Sequence, residues 1–81
     1  MKHTALIDCN VGEGMFEGEK VVSFNNAEGK TVSAIVDERR VRGSALLVDI
    51  EEEKSDKVLV AIPGESFSTR KVWVETDRIR V

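Results

Sequence analysis

Short runs rich in β-branched residues recur along this chain, each closed off by glycine or a charged cluster: 20–24 (KVVSF), 31–37 (TVSAIVD), 45–51 (ALLVDIE), 57–62 (KVLVAI), 71–75 (KVWVE) and 79–81 (IRV). Side chains branched at Cβ crowd the preceding turn of a helix but fit a pleated surface, so this regular spacing predicts strands of a small sandwich or barrel. No window of helical length carries an i, i+3, i+4, i+7 apolar stripe free of β-branched runs, which argues against a long helix. The connections agree. Asn26 and Gly29 in NNAEGK suit positive φ, EEEKSDK (51–57) reads as a polar hairpin turn, Gly43 ends ERRVRGS (38–44), and TDR (76–78) suits one 3₁₀ turn. Residues 4–9 (TALIDC) are a candidate further strand.

With 81 residues the chain has room for one domain of radius of gyration ~12 Å. The expected division is an N-terminal lead over 1–17, with room for one strand, and a barrel over 18–81. Alternation along the strands then assigns faces. Val32, Ala34 and Val36 share one side, as do Leu46, Val48 and Ile50, then Val58, Val60 and Ile62, then Val72 and Val74; these eleven form the predicted core.

The opposite faces should be polar in a sheet covered on one side only, yet they carry Ile35, Leu47, Leu59 and Trp73. Three explanations compete for this second stripe: strongly bent strands that bury parts of both faces, the N-terminal Ala5-Leu6-Ile7 laid over it, or a partner or second copy of the chain. A tryptophan with three aliphatic neighbours would form a patch of the size that marks interfaces. The loop 63–70 lies on its rim and adds Phe67, so the partner-binding candidates are Ile35, Leu47, Leu59, Trp73 and Phe67.

Strand parity carries a second expectation. If consecutive strands run antiparallel, loops 38–44 and 63–70 meet at one end, and turns 25–30, 51–57 and 76–78 at the other. The first end gathers Arg39, Arg40, Arg42, Arg70 and Lys71 with Ser66, Ser68 and Thr69, and the second gathers Glu28, Glu51, Glu52, Glu53, Asp56 and Asp77. Arginine forks suit carboxylate and phosphate, which makes the basic end the candidate site for an anion or a nucleic-acid backbone. The net charge of −3 and the local carboxylates Asp37, Glu38 and Glu65 weigh against it.

The stretch MFEGEKVVSF, with a glycine just ahead of a lysine-led β-run, and the ending VWVETDRIRV, a strand, a short turn and a last strand, resemble an SH3-like small barrel over roughly 16–81. The resemblance implies an all-β, partly open barrel of five to seven antiparallel strands with at most a short 3₁₀ turn near 76–78. It also implies binding rather than catalysis, since such barrels serve as peptide adaptors, nucleic-acid modules and accessory subunits.

Catalytic motifs find no footing. GESFS (64–68) has Ser68 where a nucleophile elbow needs its second glycine, and it joins two strands instead of a strand and a helix. The only histidine is His3, so no nucleophile, base and orienter can be assembled. GEGMFEG (12–18) echoes a phosphate-binding loop, but it is acidic and leads into a β-run, and reads as a flexible lead into the barrel. Cys9 and His3 are too few for a structural metal site, and Cys9 reads as a half-buried, inert thiol. No cofactor is expected, no apolar stretch is long enough for a membrane helix, and no secretion signal is visible, so the expected location is cytoplasmic. The favoured reading is a non-enzymatic interaction module that self-associates or docks on a protein through the outer stripe. Nucleic-acid or anion binding is the alternative.

Overall fold

Alternation of small and branched apolar residues with polar ones lets each strand bury one side only, and the chain uses this to build two facing sheets. The computed structural model describes residues 3–66 and 70–80. Its strands are β1 (His3–Asp8), β2 (Asn10–Glu13), β3 (Glu19–Asn25), β4 (Thr31–Asp37), β5 (Val41–Arg42), β6 (Ala45–Glu53), β7 (Lys57–Ala61), β8 (Glu65–Ser66), β9 (Lys71–Glu75) and β10 (Ile79–Arg80). Seven of them have four or more residues; β5, β8 and β10 have two each. One sheet runs β10-β1-β6-β7-β9, with β5 also paired to β6, and the other runs β2-β3-β4-β8. Every pairing is antiparallel. The only helical elements among the described residues are 3₁₀ turns at Glu38–Arg40 and Thr76–Arg78, so the domain is all-β. None is long and apolar enough to cross a membrane.

The two inner faces share one core. All eleven residues expected there from alternation are buried. They are joined by Ala5 and Ile7 of β1, by Val22 and Phe24 of β3, and by Ala45. The radius of gyration is 11.6 Å, close to the expectation for one domain of this length.

The N-terminal segment does not lie over the outer stripe. Because side chains alternate, Ala5 and Ile7 point into the core while Leu6 points out, and β1 takes a place inside the sheet: Leu6 stands opposite Leu47 on one side and Arg80 on the other. The residues expected as a lead therefore supply two strands, β1 and β2, one in each sheet.

Strand parity is observed at both ends. At one, the Glu38 N–H donates to the Gly18 carbonyl at 2.9 Å, and Gly64 packs against the backbone of Ile35 and Val36. At the other, the Ala27 N–H donates to the Trp73 carbonyl at 2.8 Å and the Thr76 N–H to the Asp56 carbonyl at 3.1 Å. The first 3₁₀ turn was not signalled by the sequence pattern. It forms because Asp37 caps it, its Oδ1 accepting from the Arg39 N–H at 2.9 Å.

Candidate functional site

The β2–β3 hairpin is closed by its glycines. The Gly14 N–H donates to the Glu19 carbonyl at 3.1 Å, and the Glu19 N–H donates back to the Phe16 carbonyl at 3.2 Å. That second bond closes a four-residue turn with Gly18 at φ 86°, a left-handed conformation that a side chain resists. The bond from Glu38 to Gly18 then ties the tip to the end of β4. A segment that reads in sequence as a loose lead is thus fastened at three points, and it holds Met15 88% and Phe16 70% exposed.

Beneath the tip lies a groove of about 660 Å³, bordered by Met15 and Phe16, by Ile35 and Val36 of β4, and by Gly64. Gly64 is required there. Its φ is 82°, and a Cβ at this position would run into the Ile35 carbonyl and stand 3.2 Å from the Val36 Cα. The chain after β7 can therefore lie directly on β4, where β8 pairs at Ala34 and Ile35.

Acidic groups surround these apolar ones. Glu17, Glu19, Asp37 and Glu38 border the groove, together with one cation, Arg39. Arg39 is engaged: its Nη2 lies 2.9 Å from Asp37 Oδ2 and its Nε donates to Oδ1 at 3.1 Å. The guanidinium, aided by the Arg39 backbone N–H on the same carboxylate, pulls the Asp37 carboxyl down to about 2. Nearby, Lys20 Nζ donates to Glu13 Oε1 at 2.8 Å, which raises the lysine's pKa.

The residues expected to form one apolar stripe fall in separate places. Ile35 is on the β2-β3-β4-β8 sheet, opposite Val21, and belongs to the groove. Leu47 is on the other sheet, opposite Leu6 and beside Arg39 and Arg40. Leu59 and Trp73 face each other across β7 and β9, separated from Leu47 along the strands by Asp49 and Ala61. Trp73 is half-buried, with Lys54 Nζ 4.8 Å and Lys57 Nζ 5.1 Å from the ring centroid. Phe67 lies outside the described residues.

The cations expected at one end are also divided. Arg39 is held by Asp37. Arg42 Nη1 donates to the carbonyls of Arg39 and Val41, the latter at 3.2 Å. Lys71 Nζ lies 3.3 Å from Glu51 Oε1 on the outer face of the larger sheet. Arg40 and Arg70 are exposed. Among the described residues, this leaves two of the five without an intramolecular ion pair or hydrogen bond from the side chain.

A polar hollow of about 260 Å³ lies between Asp8, Cys9, Asn25, Thr31 and Arg78. Burial and, to a smaller extent, the Asp8 charge push the Cys9 thiol up, so it stays protonated at neutral pH.

Sequence reasoning placed Ile35 at the surface but missed Met15 and Phe16, its partners in the groove. The available signal was two adjacent large apolar residues held between glycines in an acidic stretch. Together these features define an all-β, two-sheet domain with an acidic, apolar groove at the hairpin end. Comparisons with protein-family models, curated proteins and solved structures return no match.

Proposed function

We propose that this chain is a non-enzymatic interaction module that docks on a protein partner through the groove bordered by Met15, Phe16 and Ile35. The observation that carries the reading is the combination of exposure and anchorage at Met15 and Phe16. A large apolar side chain left in water on a mobile loop is unremarkable, but here three backbone hydrogen bonds fasten the turn that carries two of them. Fixing them in advance lowers the ordering cost of binding, which is how a small patch gains affinity. An aromatic anchor beside a groove is also the usual make-up of a binding hot spot.

The reading extends to the fold family. We take the two sheets as an SH3-like, partly open barrel, a placement supported by the 3₁₀ turn at Thr76–Arg78 leading straight into β10 beside β1. Binding of nucleic acid or another anion by the arginine end has less support, because Arg39, Arg42 and Lys71 are engaged within the chain.

The test is a random displayed peptide library panned against the immobilised chain, with the enriched peptides titrated into the ¹⁵N-labelled protein. The expected footprint covers Gly18, Ile35, Val36 and Gly64, and it disappears in Phe16→Glu. No enrichment, or a footprint centred elsewhere, would overturn the reading.

A further inference from the structure

Resting on this docking reading, we infer that the occupant of the groove is a cationic segment with an apolar anchor. Unneutralised charge is left over around the apolar floor. Asp37 and Arg39 neutralise each other through a two-point contact at 2.9 and 3.1 Å. Glu17, Glu19 and Glu38 remain, and among the described residues none of the three has an ion-pair partner. Lys20, which feels the charge of Glu38, already donates to Glu13. The groove is thus apolar at the hairpin and β4 and negative around its border, a field that steers lysine- or arginine-bearing segments in and keeps phosphate backbones out.

A second copy of the chain makes a poor occupant. It would have to offer an apolar group surrounded by spare positive charge; among the described residues Leu47 has one unpaired cation beside it, Arg40, and the more cationic apolar site is Trp73 with Lys54 and Lys57. Those two ammonium groups already lie over the ring at about 5 Å, and Lys57 stands directly opposite Glu75. Copy-on-copy docking would forfeit these contacts before gaining others.

The experiment uses three displayed libraries that share one randomised apolar core and differ only in fixed flanks of lysine, glutamine or glutamate. Selection is against the whole chain, and winners are titrated into the ¹⁵N-labelled protein at low and high salt. Lysine-flanked peptides are expected to bind at the groove about tenfold more tightly than glutamine-flanked ones, glutamate-flanked ones more weakly still, and the preference to fade at high salt. In Glu17→Gln/Glu19→Gln/Glu38→Gln, checked for unchanged amide dispersion, the preference should vanish while binding of the glutamine-flanked peptides persists. Equal binding by all three at the groove overturns the charge inference and leaves the docking reading standing. Groove resonances that shift with chain concentration and no peptide make a second copy the occupant and overturn it as well. No enrichment from any library, or a footprint away from the groove, overturns both.

Discussion

The outer face of the larger sheet and the hairpin tip of the smaller one both carry large apolar side chains, and they dispose of them in opposite ways. Trp73 sits mid-strand, where cross-strand neighbours lie alongside it: Leu59 stands opposite, and lysines from the β6–β7 turn and the start of β7 reach over the ring. Their aliphatic stems cover carbon while their ammonium groups meet the negative face of the indole. Met15 and Phe16 sit on a turn, where among the described residues no adjacent strand supplies such a cover and the nearby ionisable residues are largely carboxylates. An exposed sheet face closes itself if long cations stand at the neighbouring positions, and a turn fastened by backbone bonds cannot. Apolar content alone therefore misplaces the open surface, and the side chains beside it decide.

The strongest way to break the comparison is to remove the groove's wall. Gly64→Ala combines a positive φ with a collision at the Ile35 carbonyl, and it should cost about 2–4 kcal/mol of stability in urea denaturation followed by circular dichroism. Gly29→Ala, at φ 81° with open space around it, should cost only about 1 kcal/mol. Equal costs would mean that the close approach at Gly64 carries no weight.

The next effect separates the two aromatics. Trp73→Ala should destabilise the domain by about 2 kcal/mol, because half of a large ring and its contacts are lost. Phe16→Ala should change stability by less than about 0.5 kcal/mol, since its ring is 70% exposed. A large loss at Phe16 would place it among the structural residues and undo the contrast.

The lysine cover is a smaller term. Lys54→Gln or Lys57→Gln should each cost about 0.5–1 kcal/mol and raise quenching of Trp73 fluorescence by acrylamide, a neutral quencher. Unchanged quenching in the double variant would leave Trp73 covered by something other than these ammonium groups.

Smallest is the acid titration at the groove's edge. With the Asp37 carboxyl held below its ordinary value of 3.8, the cap and ion pair contribute fully above that pH and fade as pH falls toward about 2. The amide resonances of Arg39 and Arg40 should report that midpoint by NMR. A midpoint near 3.8 would show Arg39 released from Asp37 in solution.

Much of the fold was legible because it depends on local chemistry. β4, β9 and the 3₁₀ turn at Thr76–Arg78 occupy the expected positions, since alternation and turn residues are written within a few positions of each other. β5 and β8, two residues each, carry no period to detect and exist because long-range packing brings them beside β6 and β4. The site was legible in part for the same reason. Alternation turns Ile35 outward, but only the topology puts it on a different sheet from Leu47, Leu59 and Trp73. The fastening of the turn that carries Met15 and Phe16 needs a bond from the Glu38 N–H to the Gly18 carbonyl, twenty positions away, and a glycine-rich stretch read alone looks slack.

The position of β1 bears on how the molecule is made. It lies between β6 and β10, so once made it has no sheet neighbour to pair with until Ala45–Glu53 follows, and its second neighbour, Ile79–Arg80, comes later still. Closing loops of that length must precede any gain from the contacts, which places the domain among the slow, millisecond-to-second folders. Meanwhile the β3–β4 hairpin, joined by a short turn, can form from local contacts alone. During that interval Ala5 and Ile7 are exposed to other nascent chains, and the speed with which β6 arrives sets how long the hazard lasts.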